Sequence, residues 1–329
     1  KQLTKGNNMN NLKKVGLTAL GTALVTAGSA QAASMDVSAA TSIFYNGYDN
    51  GNNGNGWSMT DSVTFTASGE MDNGFTVSTK IEMDGGDVDT RNIVIDTGDM
   101  GTLTFSGDGA SGPIGSWDDI TPSANEEAHG VAINGTIAGA ANAASTKDIF
   151  VYDYTIMDGL ALKTSYVPSD GTVAVDSSTD FGLLYTGVDG LSVYAAMGEN
   201  NNAADSADLS MFGVKYAMGA ITVGYQVNET DYGAANSDED FTALGISYAV
   251  SDDLSVSLNT SEIDFESGSN DQQATGVSFS YTSGGMTISG THSSVDNVGG
   301  TDSADNSAYE INFITSVICS CSSSYVINC

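Results

Sequence analysis

The sequence predicts an all-β protein, a 16-stranded antiparallel transmembrane β-barrel. Three observations carry that expectation. Apolar residues alternate with period two rather than 3.6, a strand–turn–strand unit recurs, and the connections alternate between tight and long. The recurrence is regular: Val151, Gly182, Gly213, Gly245 and Gly276 begin corresponding units, at steps of 31, 31, 32 and 31 residues. Each unit holds two strands, which excludes a helical solenoid and a four-stranded propeller blade.

The first element is a processing segment. From Met9 the chain reads MNNLKKVGLTALGTALVTAGSAQA. Lys13 and Lys14 give a positive start, Val15 to Ala27 is uncharged, small and apolar, and Ala30-Gln31-Ala32 fits the small-x-small rule for signal peptidase. The apolar stretch is too short to span a bilayer as a helix. Residues 9–32 are therefore expected to be a signal peptide cleaved after Ala32. Residues 1–8 (KQLTKGNN) lack a signal-like start and are read as an upstream extension of the reading frame. Cleavage would leave 5 basic against 41 acidic side chains, a formal charge of −36. Such a surface repels nucleic acid. The 27 aromatic residues at strand positions argue against disorder.

Sixteen strands follow. They are expected at Val37–Tyr45, Met59–Ala67, Phe75–Met83, Arg91–Asp96, Gly101–Ser106, Ile149–Ile156, Leu160–Val167, Phe181–Thr186, Leu191–Met197, Met211–Ala217, Ala220–Val227, Phe241–Ala249, Leu254–Thr260, Ala274–Tyr281, Met286–His292 and Ala308–Phe313. The tight connections, such as MDNG at 71–74 and VDG at 188–190, carry the Gly and Asp that hairpin turns require. The others are long and polar, as in NGYDNGNNGNG from Asn46 and NETDYGAANSDED from Asn228. Short turns on one side and long loops on the other describe an outer-membrane barrel, with the short turns periplasmic. An even strand count permits closure, which lipid demands because it cannot satisfy a sheet edge. A secreted β-sandwich would alternate too, but gives no reason to sort loops by length.

Parity assigns faces. Phe75, Val77, Ile81 and Met83 should meet lipid; Thr76, Ser78, Lys80 and Glu82 should meet water. Phe150, Tyr152, Tyr154, Leu160, Leu162 and Tyr166 should point out, Asp153 and Lys163 in. A charge against lipid costs about 2–4 kcal/mol at mid-depth, and Lys80, Asp153, Lys163 and Lys215 all fall on the polar parity. Arg91 is ambiguous. The aromatics Tyr154, Tyr185, Tyr216, Tyr248 and Phe279 recur one step before a tight turn on the outward parity, with Phe313 next in the series. Amphipathic rings favour the membrane interface, so these six are expected to form part of a lower aromatic girdle.

One connection breaks the pattern. After GTLTFSG the chain runs from Asp108 to Lys147 without a convincing strand. Loops of that length are commonly functional, and this one holds Asp118, Asp119, Glu126 and Glu127.

At this point the chain resembles a Gram-negative general porin of the alphaproteobacterial type. The resemblance covers nearly all of residues 33–313. It rests on the signal peptide, the sixteen strands, GTLTFSG leading into a long third loop, and the last strand AYEINF. It implies that residues 108–147 fold into the barrel and narrow the pore. It also implies that the loop acids Asp118, Asp119, Glu126 and Glu127 face wall bases, here Lys80, Arg91 and Lys163, with Glu82, Asp153 and Lys215 also on the wall. It implies a homotrimer in outer-membrane lipid that passes small hydrophilic solutes and ions. The bases are few for that pattern, which favours a cation-preferring pore. Family members usually end in Phe, whereas here AYEINF runs on into residues 314–329, ITSVICSCSSSYVINC, with all three cysteines. That tail is read as the product of a frameshift near Ile314.

No catalytic site is expected. His129 and His292 sit in no motif, and no zinc spacing or phosphate-binding glycine loop appears. Sugar selectivity would want aromatics inside the lumen and phosphate selectivity clustered bases; neither pattern is present. The first loop offers hard oxygen ligands of the kind calcium takes, although a solvated loop suits its composition better.

Overall fold

The computed structural model describes residues 34–48, 55–130, 147–169, 171, 176–201, 206–267, 270–321 and 327–328. The strands are β1 (Ser34–Tyr48), β2 (Trp57–Glu70), β3 (Thr76–Asp84), β4 (Asp87–Asp96), β5 (Thr102–Asp108), β6 (Ile149–Met157), β7 (Leu160–Val167) and β8 (Ser178–Val188). They continue as β9 (Leu191–Asn200), β10 (Ala207–Met218), β11 (Ile221–Tyr232), β12 (Glu239–Ala249), β13 (Leu254–Phe265), β14 (Gln272–Ser283), β15 (Met286–Asp296) and β16 (Asn306–Cys321). Each strand pairs antiparallel with its sequence neighbours, and β16 pairs with β1 from Tyr48↔Ala308 to Met35↔Cys321. Sixteen strands thus close a barrel with no free edge, as backbone in lipid requires. A two-residue strand, β17 (Ile327–Asn328), pairs with the end of β16.

Burial is inverted relative to a soluble domain. Phe181, Phe212, Leu244, Leu258 and Val277 are all exposed, while Gln226, Asn228, Asn259 and Ser278 are buried. Lipid-facing and lumen-facing residues alternate along each strand, so exposed apolar side chains mark the outer surface. Phe150 and Tyr166 stand directly opposite one another on that surface. Tyr185, Tyr216, Tyr248 and Phe279 are exposed there too. The tight turns close on glycines in the left-handed region, as at Gly190 (φ 73°) and Gly219 (φ 61°).

Two sequence expectations are corrected. Several strands outrun their apolar pattern on the long-loop side: β10 begins at Ala207, β11 continues to Tyr232 and β13 to Phe265. Alternation stops where lipid stops, but the backbone ladder continues into the polar residues beyond it. The last strand does not end at Phe313: β16 keeps register with β1 as far as Cys321. The wall is also uneven. Strands β3 to β7 have 9, 10, 7, 9 and 8 residues, whereas β10 to β15 have 11 or 12.

Candidate functional site

The described part of the long third loop leaves β5 at Asp108 and turns inward. At its base the Asp108 carboxylate pairs with Lys147 (3.6 Å). The chain makes one short helix, α1 (Pro113–Ser116), with Pro113 at its start, where a missing N–H costs nothing. Ile114, Trp117 and Ile120 then bury themselves against Tyr194, Ala196, Leu209 and Met211 on the inner wall. The Trp117 ring meets Tyr194 edge-on at 5.6 Å. The inner wall is therefore apolar here, where the loop rather than water covers it, and smaller apolar clusters join Ala128 to Ala274, Val295 and Ala308 and Ala110 to Ile149, Val151 and Val167.

Beyond Trp117 the loop is held by hydrogen bonds to successive strands. Gln226 of β11 donates to the Asp118 carbonyl and accepts from the Ile120 N–H (3.0 Å). Asn259 of β13 donates to the Pro122 carbonyl (3.0 Å), and Ser257 accepts from Ala124 N–H (2.9 Å). Ser278 of β14 donates to the Glu126 carbonyl (2.8 Å). Asn125 is the far anchor. Its amide donates to Thr291 (2.9 Å) and Glu310 (2.8 Å) and accepts from Ser289 (2.7 Å). The loop thus crosses the lumen side of the wall from β8 to β16, and wall side chains satisfy its backbone in place of water.

The four loop acids share this strip. Asp119 and Glu127 line one cavity with Lys215, Ser192, Thr222 and Ser247. Burial, reinforced by the neighbouring Asp119 carboxylate, pushes Asp118 up to about 6. Burial and then the carboxylates of Glu310, Glu127 and Asp119 push Glu126 up to about 7, with His129 opposing. Glu127 is raised too, first by burial and then by Asp119. Crowded carboxylates with little water disfavour their charged forms.

The wall bases answer them only weakly. Lys80 pairs with Glu82 of its own strand (2.7 Å), and Lys163 with Asp153 on the adjacent strand (3.4 Å). Lys215 lies 5.9 Å from the centre of the Tyr194 ring. Arg91 stands opposite Ile81, on the parity of exposed Ile93, and its guanidinium donates to the Gly107 carbonyl (3.3 Å). That parity separates Arg91 from the inward-facing Lys80 and Lys163. Among the described residues no lysine or arginine forms an ion pair with Asp118, Asp119, Glu126 or Glu127. The side chain beside them is His129, whose Nε2 lies 3.3 Å from Asp119.

Residues 16–313 match the Gram-negative porin family. The chain belongs to that family. Solved porin structures share its fold. The anion-selective porin from Comamonas acidovorans superposes with a TM-score of 0.67 at 11% identity, over 87% of this chain and 99% of that one. OmpT of Vibrio cholerae with loop L8 deleted gives 0.66 at 16% identity, and a triple mutant of the Rhodopseudomonas blastica porin 0.61 at 17%. Each covers 87% of this chain and 100% of its own. No curated protein matches the sequence. Family and fold make this porin an outer-membrane channel for passive diffusion rather than a catalyst.

One arrangement in the porin does resemble a nucleophile triad. His129 bridges Asp119 and Ser261, with Nδ1 3.4 Å from the serine hydroxyl. Ser261 is 5% exposed, so the hydroxyl joins loop to wall and no substrate carbonyl reaches it. Most of the first loop lies outside the described residues, and with it the possible calcium ligands. Among the described residues no group of three or more His, Cys, Asp or Glu is placed to hold a metal.

The strand aromatics mostly share the lipid parity. Tyr194 and Phe241 are exceptions: both are buried, the first against Trp117 and the second against the His129 ring (5.2 Å). The wall amides Gln226 and Asn259 and the loop residue Asn125 were missed as well. Parity alone could have flagged the first two, as inward amides in strands whose other inward residues are small.

Proposed function

We propose that the chain is a cation-preferring general diffusion porin whose constriction is formed by the third loop. One observation carries this reading: among the described residues the loop acids have no lysine or arginine ion-pair partner, whereas Lys80 and Lys163 are each paired with a carboxylate of the wall. Asp118, Asp119, Glu126 and Glu127 then set the sign of the field at the narrowing, and Glu82, Asp153, Lys163, Lys80 and Lys215 line the wider wall. A charged ring acts on permeating ions at close range, so small cations and neutral hydrophilic solutes pass more readily than anions. The test is the reversal potential of single channels in a planar bilayer under a salt gradient. Cation preference is expected; anion preference would overturn the reading.

We also propose residues 9–32 as a cleaved signal peptide, the six aromatics ending at Phe313 as a periplasmic-side girdle, and a homotrimer as the working assembly. Supporting the last, the wall is lowest over β3 to β7, where Ile93, Leu103, Phe105 and Phe150 are exposed on the outer surface, an apolar face that suits a neighbouring subunit. Chemical cross-linking of the detergent-solubilised protein is expected to trap a three-chain species.

A further inference from the structure

We propose that the inward-facing glycines of the repeat are positioning residues that set the depth of the constriction loop, and with it the open area of the pore. This rests on the reading that the third loop narrows the channel.

The register aligns these residues. Gly224 of β11 stands opposite Gly245 of β12, Gly245 opposite Asn259 of β13, Asn259 opposite Gly276 of β14, and Gly276 opposite Ser293 of β15. Five adjacent strands thus present one row of glycine or small polar residues to the lumen. The neighbouring inward row on the same strands is Thr222, Ser247, Ser257, Ser278 and Thr291. The loop lies over both rows. The second row and Asn259 hydrogen-bond it, through the Ser257, Ser278, Thr291 and Asn259 bonds given above. The first row leaves it room.

The fit is close at every glycine. A Cβ at Gly224 would stand 2.5 Å from Pro122 Cδ and 3.2 Å from Thr121 Cα. At Gly245 it would run into Nδ2 of Asn259, the amide that holds the loop, and stand 3.0 Å from both the Pro122 carbonyl oxygen and Thr121 Cβ; at Gly276 it would stand 2.8 Å from Ala128 Cα. Gly182 and Gly213, in the same repeat position, would meet the Trp117 ring and the Ile120 side chain. None of these five has a positive φ, so turn geometry does not require them. Glycine in a strand interior costs stability unless another backbone approaches closely. Here the close approach is the loop.

Pro122 is a rigid ring and Ala128 Cα is backbone, so a methyl group at Gly224 or Gly276 must lift the loop toward the pore axis. At Gly213 the Ile120 side chain can rotate away, so the effect there is smaller.

The test compares single-channel conductance and the solute exclusion limit of Gly224→Ala and Gly276→Ala with wild type. Gly69→Ala and Gly285→Ala are the controls, since a Cβ at either meets nothing within 4 Å. The two seat variants are expected to lose roughly half the conductance, because conduction follows open area, and the controls none. Adding Pro122→Ala to Gly224→Ala is expected to restore conductance, which a merely weakened barrel would not show. Should the seat variants fail to assemble, Gly213→Ala carries the same comparison. Wild-type conductance in assembled seat variants, or an equal loss in the controls, overturns the inference. A wild-type protein that forms no channel fails the functional reading instead.

Discussion

The two sides of the barrel wall solve different problems. From β8 to β15 the lumen face is covered by the loop, and its inward residues are glycines, hydroxyls, amides and a small apolar patch around Tyr194. From β2 to β7 the loop covers only the long-loop end, packing Ala110 against Ile149, Val151 and Val167; elsewhere charge stands on the inner face in pairs, Lys80 with Glu82 and Lys163 with Asp153. Where protein covers the wall, side chains are selected for fit and hydrogen bonding. Where water covers it, they are free to carry charge. On the proposed reading, the loop acids set the field at the narrowing.

The sharpest test removes the loop charge. The variant Asp119→Asn, Glu126→Gln, Glu127→Gln should abolish most of the cation preference while leaving the barrel intact, as read from reversal potential and from the mobility of unheated protein on a gel. Neutralising Lys80 and Lys163 instead would break the comparison if it changed selectivity as much.

Acid should do part of the same work. Glu126 titrates near 7 and Asp118 near 6, both above their ordinary values. Both are charged at pH 8 and largely neutral at pH 5, so cation preference should fall across that interval. The stability sign follows from the same shifts. A carboxyl raised on docking favours the docked loop when protonated, and that contribution is lost as pH rises through the shifted values. Limited proteolysis of the loop should accordingly be slower at pH 5.5 than at pH 8 for a protease active at both.

Asn125→Ala comes next. It removes the bonds to Thr291, Glu310 and Ser289 and leaves the partly buried Glu310 carboxylate with one fewer donor. A cost of about 1–3 kcal/mol to docking is expected, seen as noisier single-channel currents with the mean conductance little changed. The smallest effect should come from Lys163→Gln. The pair with Asp153 is solvent-accessible and worth about 0–1 kcal/mol. Stability should hardly move, and cation preference should rise slightly as Asp153 loses its neutralising partner.

The barrel was legible because lipid imposes a period-two pattern on every strand, and tight turns must carry Gly or Asp. Strand ends were not. The hydrogen-bond ladder of β11 runs to Tyr232 through residues that lipid never selected. Arg91 stayed ambiguous because the pairing of β4 shifts register on both sides, near Glu82/Met83 and at Arg91/Asn92, and a bulge resets parity. The loop acids were visible, but their seat was not. Gly182, Gly213, Gly245 and Gly276 stood in the repeat three residues before each aromatic, and the aromatic drew the explanation. Only cross-strand register shows that Gly224 stands in one row with Gly245 and Gly276. A row of absent side chains leaves no mark in the chemistry of one strand.

The pairing of β1 with β16 has a temporal consequence. The seam joins Met35 to Cys321 and Tyr48 to Ala308, nearly the widest sequence separations the barrel contains. Every shorter chain, however well its hairpins form, carries two unpaired edges that hydrocarbon cannot tolerate. Contacts so distant along the chain form slowly. Insertion into the membrane is then coupled to the arrival of the final strand, and until that moment the protein must be held as an open, aggregation-prone sheet.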